Sequence, residues 1–192
     1  MPRSVAELVR SMNPPPTWAR FWQMEFIGKS TFGSGGVCAS LCAVWIRMRV
    51  AKTPEELNFK HYVGTQDGRE EVMWLRLQQA KRDPAYVENY LKAFGLRRVR
   101  ETFFRSTGLI QNCDQLGRAG YHFVGFSNKG VAAMAEAHAI AVDGYKNILF
   151  DPNCGQFTCA SPQALQSFLY ALLAEHYDRM VLGAGIIKTF MR

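Results

Sequence analysis

The stretch EAHAIAVDGYKNILFDP, residues 136–152, decides the fold because it holds two short apolar segments joined by a turn. Apolar runs that flank an Asp-Gly pair are typical of a β-hairpin. If the turn is centred between Gly144 and Tyr145, His138 lies directly opposite Asp151. Directly opposed residues have Cβ atoms about 5 Å apart, close enough for a carboxylate to hydrogen-bond an imidazole. The segment therefore predicts a hairpin that carries a histidine–aspartate pair.

Outside this segment, the period of the apolar residues changes near residue 96. Before that point they recur at helical spacing, most clearly in the apolar run 37–50. After it, the pattern predicts one helix over 162–177 and a set of strands. The strands are expected at 96–104, 121–126, 138–143, 147–151 and 180–190. We therefore expect one α+β domain, with a helical part over about 1–95 packed on an antiparallel, sheet-rich part over about 96–192.

The composition indicates a folded protein without a membrane span. The 192 residues are 48% hydrophobic and 20% charged, which is typical of a globular chain and not of a disordered one. No apolar run is long enough to cross a bilayer, so no integral membrane contact is expected. Residues 1–16 lack the apolar core of a secretory signal peptide.

The charge balance limits the class of partner. A formal net charge of +7 is compatible with nucleic acid, a membrane surface or an acidic protein. Nucleic-acid binding needs a dense basic stripe, and only Arg97, Arg98, Arg100 and Arg105 come near one. These arginines alternate with apolar residues, as on a half-buried strand. We therefore expect no nucleic-acid partner.

Cys38 is the candidate nucleophile because it follows a glycine-rich turn, residues 33–36, and opens the apolar helix. Helix N-termini favour a thiolate over a thiol, and glycines let a substrate backbone approach closely. A cysteine among Ala, Val and Leu is also an ordinary core residue, and Cys42, one turn deeper, is expected to be inert. The order Cys38, His138, Asp151 meets the needs of covalent acyl transfer. The five cysteines include no CxxC pair, which argues against a zinc site.

Three segments of the chain contain the candidate residues: GVCASLCAVWI (36–46), HAIAV (138–142) and FDPNCGQF (150–157). In that order they resemble the nucleophile helix, the histidine strand and the acid motif of the YopT/AvrPphB cysteine proteases. The resemblance implies a papain-like thiol protease in which Cys38 is the nucleophile, His138 the acid and base, and Asp151 the residue that orients the imidazole. It implies no metal and no cofactor.

The oxyanion hole is the part of the predicted site that departs from the papain-like pattern. Papain-like enzymes usually place a glutamine or another amide upstream of the cysteine to complete it. The backbone N–H of Cys38 is expected to be one donor. For the second donor, Gln23, a serine side chain such as Ser34, and another backbone N–H all stay open.

The resemblance also implies a bacterial effector or toxin that cuts a specific protein, is secreted by a specialised non-Sec system and acts in the target-cell cytoplasm. The same triad would serve a transglutaminase, a glutamine deamidase or an amidase. A further alternative is a non-catalytic binding module with a papain-like fold. A net charge of +7 disfavours a polybasic substrate, so an acidic or neutral protein segment is expected. If the target is a bacterial competitor, a short basic toxin would need an acidic immunity protein to block its cleft.

Overall fold

A computed structural model of the chain describes residues 3–23, 37–51, 58–81, 83, 85–105, 108–128, 138–179, 181 and 183–192. Within these ranges the strands form one antiparallel sheet in the order β1-β6-β5-β4-β3-β7-β2. The strands are β1 (Thr17–Arg20), β2 (Arg97–Arg105), β3 (Tyr121–Ser127), β4 (His138–Asp143), β5 (Ile148–Asp151), β6 (Gly155–Thr158) and β7 (Ala184–Met191).

Helices pack on both faces of the sheet. They are α1 (Val5–Ser11), α2 (Cys38–Ala51), α3 (Phe59–Gly64), α4 (Gln66–Ala80), α5 (Tyr86–Ala93), α6 (Gly108–Gln111), a short 3₁₀ helix (Cys113–Gly117) and α7 (Pro162–Ala171), which continues as a π-helical turn (Leu172–His176). Ser161 caps α7 by accepting a hydrogen bond from the backbone N–H of Ala164. Of the helices in these ranges, none has the length and apolar character needed to cross a bilayer.

The central helix α2 is buried on nearly every side, which explains why its sequence is apolar all round. On β4, Ala139 and Ala141 belong to the core that contains α2, whereas Ile140 and Val142 belong to the core on the α7 face. Alternation along the strand places these two sets on opposite faces. Because alanine is small, the backbone of α2 can pack close to the sheet, and its first residue, Cys38, reaches the start of β4.

A partly buried polar network joins α2 to the three helices that follow it. Oε2 of Glu71 accepts hydrogen bonds from Arg47 and from the hydroxyl of Tyr62, both at 2.8 Å. Oε1 of Glu71 accepts a third bond, at 2.6 Å, from the hydroxyl of Tyr90. Each of the four helices α2 to α5 contributes one residue to this network: Arg47, Tyr62, Glu71 and Tyr90, in chain order. One carboxylate therefore connects four helices.

The structure confirms the α+β class and corrects several details. The strand expected at 138–143 has the predicted bounds, and the other four expected strands are present within a few residues of them. The sequence pattern missed β1 and β6, which pair with each other across more than 130 residues. Each has only four residues, too few to show a period, and β1 falls in the part of the chain that was expected to be helical.

Candidate active site

The hairpin β4–β5 brings the predicted histidine and aspartate together, but not in the predicted register. Ala141 lies opposite Phe150 and Val142 opposite Leu149, so the turn is centred one residue later than expected and His138 is not directly opposite Asp151. Nε2 of His138 nevertheless lies 3.0 Å from Oδ1 of Asp151. The corrected register keeps both side chains on one face of the sheet, and diagonal neighbours on a face are within reach of long side chains.

Asp151 is held by three hydrogen-bond donors. Besides the imidazole, the backbone N–H of Asn153 donates to Oδ1 at 2.8 Å, and the hydroxyl of Tyr177 donates to Oδ2 at 2.8 Å. The Tyr177 oxygen also lies 3.1 Å from Nε2 of His138. Both members of the pair are buried, with His138 4% exposed and Asp151 fully enclosed. Such burial makes every one of these contacts stronger than it would be in water.

The electrostatics of the pair favour an imidazolium beside a carboxylate. Burial alone would lower the pKa of His138, but the Asp151 charge, the hydrogen bond that the ring donates to Asp151 and the interaction with Cys38 raise it. Burial alone would raise the pKa of Asp151, but the His138 charge and the donors on both oxygens hold it below its ordinary value. The opposite shifts have one physical cause, because each charge stabilises the other in a site that excludes water.

Cys38 is the first residue of α2, and interaction with its side chain is one of the causes that raise the pKa of His138. The first turn of α2 carries no acidic side chain that would offset the positive end of the helix. Cys42, one turn further along, is fully buried, and burial raises its pKa well above the ordinary thiol value. All five cysteines are free thiols.

Of the two side chains predicted for the oxyanion hole, Gln23 lies beside the pair and Ser34 falls outside the described residues. The backbone N–H of Gln23 donates to the carbonyl of Pro152 at 2.8 Å, and Nε2 donates to Oδ1 of Asn153 at 2.6 Å. Nδ2 of Asn153 lies 3.4 Å from Nδ1 of His138. Oε1 of Gln23 is buried and has no hydrogen-bond partner among the described residues. Gln23 therefore reaches the imidazole through Asn153.

Sequence reasoning missed two residues that contact the pair, Tyr177 and Asn153. Asn153 lies inside the FDPNCGQF segment, where an aspartate followed two residues later by asparagine is a common turn signal. Nothing in the spacing pointed to Tyr177, which reaches Asp151 from the end of the π-helical turn, 26 residues along the chain.

Asp143, the last residue of β4, is buried, with only 1% of its surface exposed. It pairs with the Arg49 guanidinium at 3.0 Å and accepts bonds from the backbone N–H groups of Tyr145 and Lys146. Its side chain therefore closes the hairpin turn and connects it to α2.

In the residues that the structure describes, no cluster of three potential metal ligands occurs.

Comparison with known proteins shows the family to which the chain belongs. The sequence matches peptidase family C58, described as Yersinia/Haemophilus virulence surface antigen, over residues 13–185. The chain therefore belongs to this family of cysteine peptidases, the YopT/AvrPphB family of virulence effectors.

A solved structure is similar over nearly the whole fold. The crystal structure of the Pseudomonas avirulence protein AvrPphB matches with a TM-score of 0.62 and 17% sequence identity, covering 92% of this chain and 97% of that one. The fold is thus papain-like, as the sequence predicted. No curated protein matches the sequence.

Proposed function

We propose that the chain is a thiol protease that hydrolyses a peptide bond in a specific target-cell protein with Cys38, His138 and Asp151. One observation carries the proposal: a buried imidazole lies 3.0 Å from a buried carboxylate, and a cysteine at the start of a helix acts on the same ring and raises its pKa. A thiol, a base and an orienting acid in this order are the parts that covalent acyl transfer requires.

The chemistry proceeds in two halves. The Cys38 thiolate attacks the scissile carbonyl carbon, and the His138 imidazolium protonates the leaving amine as the C–N bond breaks. The neutral imidazole then takes a proton from water, whose oxygen attacks the thioester and releases the acid and the thiol. Asp151 keeps the proton on Nε2, so that Nδ1 faces the reaction. The backbone N–H of Cys38 donates to the oxyanion, with Gln23 or Ser34 as candidate second donor.

Other acyl-transfer enzymes would use the same three residues. A transglutaminase or deamidase would act on a glutamine side chain, and an amidase on a non-protein amide. These alternatives predict modified proteins or cell-wall fragments and no new protein N-termini. A binding module without catalysis would predict neither, and its Cys38 would not react faster than an ordinary thiol.

The proposed substrate segment is acidic or neutral. A chain of net charge +7 approaches a polybasic segment slowly, because like charges lower the encounter rate. An acidic cluster at Asp67, Glu70 and Glu71 could offset this locally, but Glu71 is neutralised by Arg47. Matched peptides that differ only in charge around the scissile bond test this point, and faster cutting of the polybasic member at low salt would contradict it.

The proposed setting is a bacterial effector or toxin delivered by a specialised secretion system into the cytoplasm of a target cell. Membership of a virulence-effector family supports this setting. If the target is a bacterial competitor, an acidic immunity protein is the expected inhibitor, since it would complement the basic chain.

The test is profiling of new protein N-termini in cells that express the chain, compared with cells that express Cys38→Ala. Cys42→Ala is the matched control, because Cys42 lies on the same helix, is fully buried and has no proposed role. We expect a small set of new N-termini with the native chain and with Cys42→Ala, and none with Cys38→Ala. New N-termini that survive in Cys38→Ala, or none in any sample, would overturn the proposal.

A further inference from the structure

A cavity of about 540 Å³ opens beside the His138–Asp151 pair. It lies between the start of α1, the end of β1 and the π-helical turn. The residues that give it chemical character are Trp18, Arg20, Trp22, Lys60, His176 and Tyr177. No function proposed so far makes use of it.

Two of the residues that line the cavity also contact the His138–Asp151 pair. Tyr177 donates to Asp151, and Asn153, which lines the cavity as well, donates to Asp151 and approaches Nδ1 of His138. The cavity is therefore separated from the imidazole by a single layer of side chains.

The position of the imidazole determines which part of a substrate passes over this cavity. In the proposed mechanism His138 hands its proton to the leaving amine, so the leaving nitrogen must lie within hydrogen-bond reach of the ring. The residues attached to that nitrogen are those on the C-terminal side of the scissile bond. They leave the reaction centre past His138, on the side where Asn153 approaches Nδ1 and lines the cavity.

The lining of the cavity is aromatic and cationic. Trp18, Trp22 and Tyr177 supply flat apolar surface, and Trp22 is half exposed. Arg20 stacks its guanidinium 4.7 Å above the ring of Trp18 and makes no ion pair with any described residue. Lys60 adds a second cation, and none of the described lining residues is an aspartate or glutamate. Such a site attracts a carboxylate and offers an apolar surface beside it.

We propose that this cavity binds the substrate residues on the C-terminal side of the scissile bond and selects an acidic side chain there. The inference rests on the proposed function, since it assumes that His138 protonates the leaving amine. It assigns the preference for acidic substrates to Arg20 and Lys60, rather than to the net charge of the chain.

The test is digestion of a cell lysate with the purified chain at low salt, followed by sequencing of the new N-termini, which reads directly the residues after each cut. Arg20→Glu reverses one charge in the cavity, and Lys60→Glu does so independently if the first variant fails to fold. Arg100→Glu is the matched control, because Arg100 lies on β2 at the opposite edge of the sheet and changes the net charge equally.

We expect acidic residues within the first three positions after the cut to be enriched about threefold to fivefold, the range for one or two exposed charge pairs. The enrichment should disappear in Arg20→Glu or Lys60→Glu and persist in Arg100→Glu. Cys38-dependent cuts without this enrichment, or with the same enrichment in both cavity variants, would overturn the inference and leave the proposed function standing. The absence of any Cys38-dependent cut would overturn both.

Discussion

Removal of the Tyr177 hydroxyl, in Tyr177→Phe, takes one of three hydrogen-bond donors from the buried Asp151 carboxylate. The ring stays the same size, so its packing on His138, at 5.0 Å between ring centroids, is retained. The bond that is lost joins the hydroxyl to Oδ2 at 2.8 Å, whereas Oδ1 keeps both of its donors. The variant therefore removes the contacts of the hydroxyl, which are this bond, the approach to Nε2 of His138 at 3.1 Å and the approach to Sγ of Cys154 at 3.7 Å.

The expected loss follows from the chemistry of that bond. A hydrogen bond to a charged group contributes roughly 1.5–3 kcal/mol. Because two donors still stabilise Asp151, we expect a loss of about 2 kcal/mol in the free energy of unfolding at pH 7. For a chain of this size that corresponds to a fall in Tm of roughly 4–8 °C. Tyr170→Phe is the control, since Tyr170 is 55% exposed, and its effect should stay within about 0.5 kcal/mol.

The pH dependence distinguishes this bond from simple packing. The pKa of Asp151 is lowered in the folded state, so its stabilising effect is present above the unfolded pKa and is lost as pH falls through the folded one. The stability difference between parent and Tyr177→Phe should therefore be full at pH 7 and shrink in acid, below the ordinary carboxyl range. Urea unfolding at a series of pH values measures it. Equal stability at pH 7, or a difference that does not change with pH, would refute the reasoning.

Further predictions concern the two aspartates of the hairpin and the polar network. Asp151→Asn should fold but cut at a much lower rate, because an amide does not hold the imidazole in the required tautomer, and comparison of initial rates at equal folded fraction checks this. Asp143→Asn should lower the free energy of unfolding by about 1–3 kcal/mol, because it leaves Arg49 without its buried partner. The cutting rate of the folded variant should change little. A rate loss equal to that of Asp151→Asn would contradict the assigned roles. Glu71→Gln should lower the free energy of unfolding, measured in urea, by about 2–3 kcal/mol, which is less than the loss expected for a fully buried ion pair. An unchanged unfolding midpoint would show that the network does not stabilise the helix packing.

The sequence pattern predicted structure correctly where the interactions that determine the structure lie close together in the chain. The alternation over residues 138–143 and the turn that follows predicted β4 and placed His138 and Asp151 on one face. The register was wrong because the connection has four residues, 144–147, and its length depends on Asp143, whose buried side chain accepts two backbone N–H groups of the turn. The pair survives the error because diagonal neighbours on one sheet face are still in contact.

Contacts between distant parts of the chain could not be predicted from local sequence patterns. β1 is a strand because it pairs with β6, and neither four-residue segment would be stable alone. Tyr177 contacts Asp151 because a π-helical turn ends α7 beside the sheet, and helical periodicity does not predict where such a turn places its last side chain. The cavity beside the pair combines residues of α1, β1 and this turn, so it too becomes visible only in the folded chain.

The measurement that tests the central claim most directly is alkylation of the native chain with iodoacetamide at pH 6, followed by mass analysis of each cysteine peptide. Cys38 should react first, because it begins α2 and interacts with the His138 imidazole, the partner that an attacking thiol requires. The other four thiols should react slowly, because burial raises the pKa of each of them: Cys42, Cys113, Cys154 and Cys159. The rate at Cys38 should fall at least tenfold in His138→Ala. A faster reaction at Cys154 or Cys159, or an unchanged rate at Cys38 in His138→Ala, would contradict the assignment of Cys38 as the nucleophile.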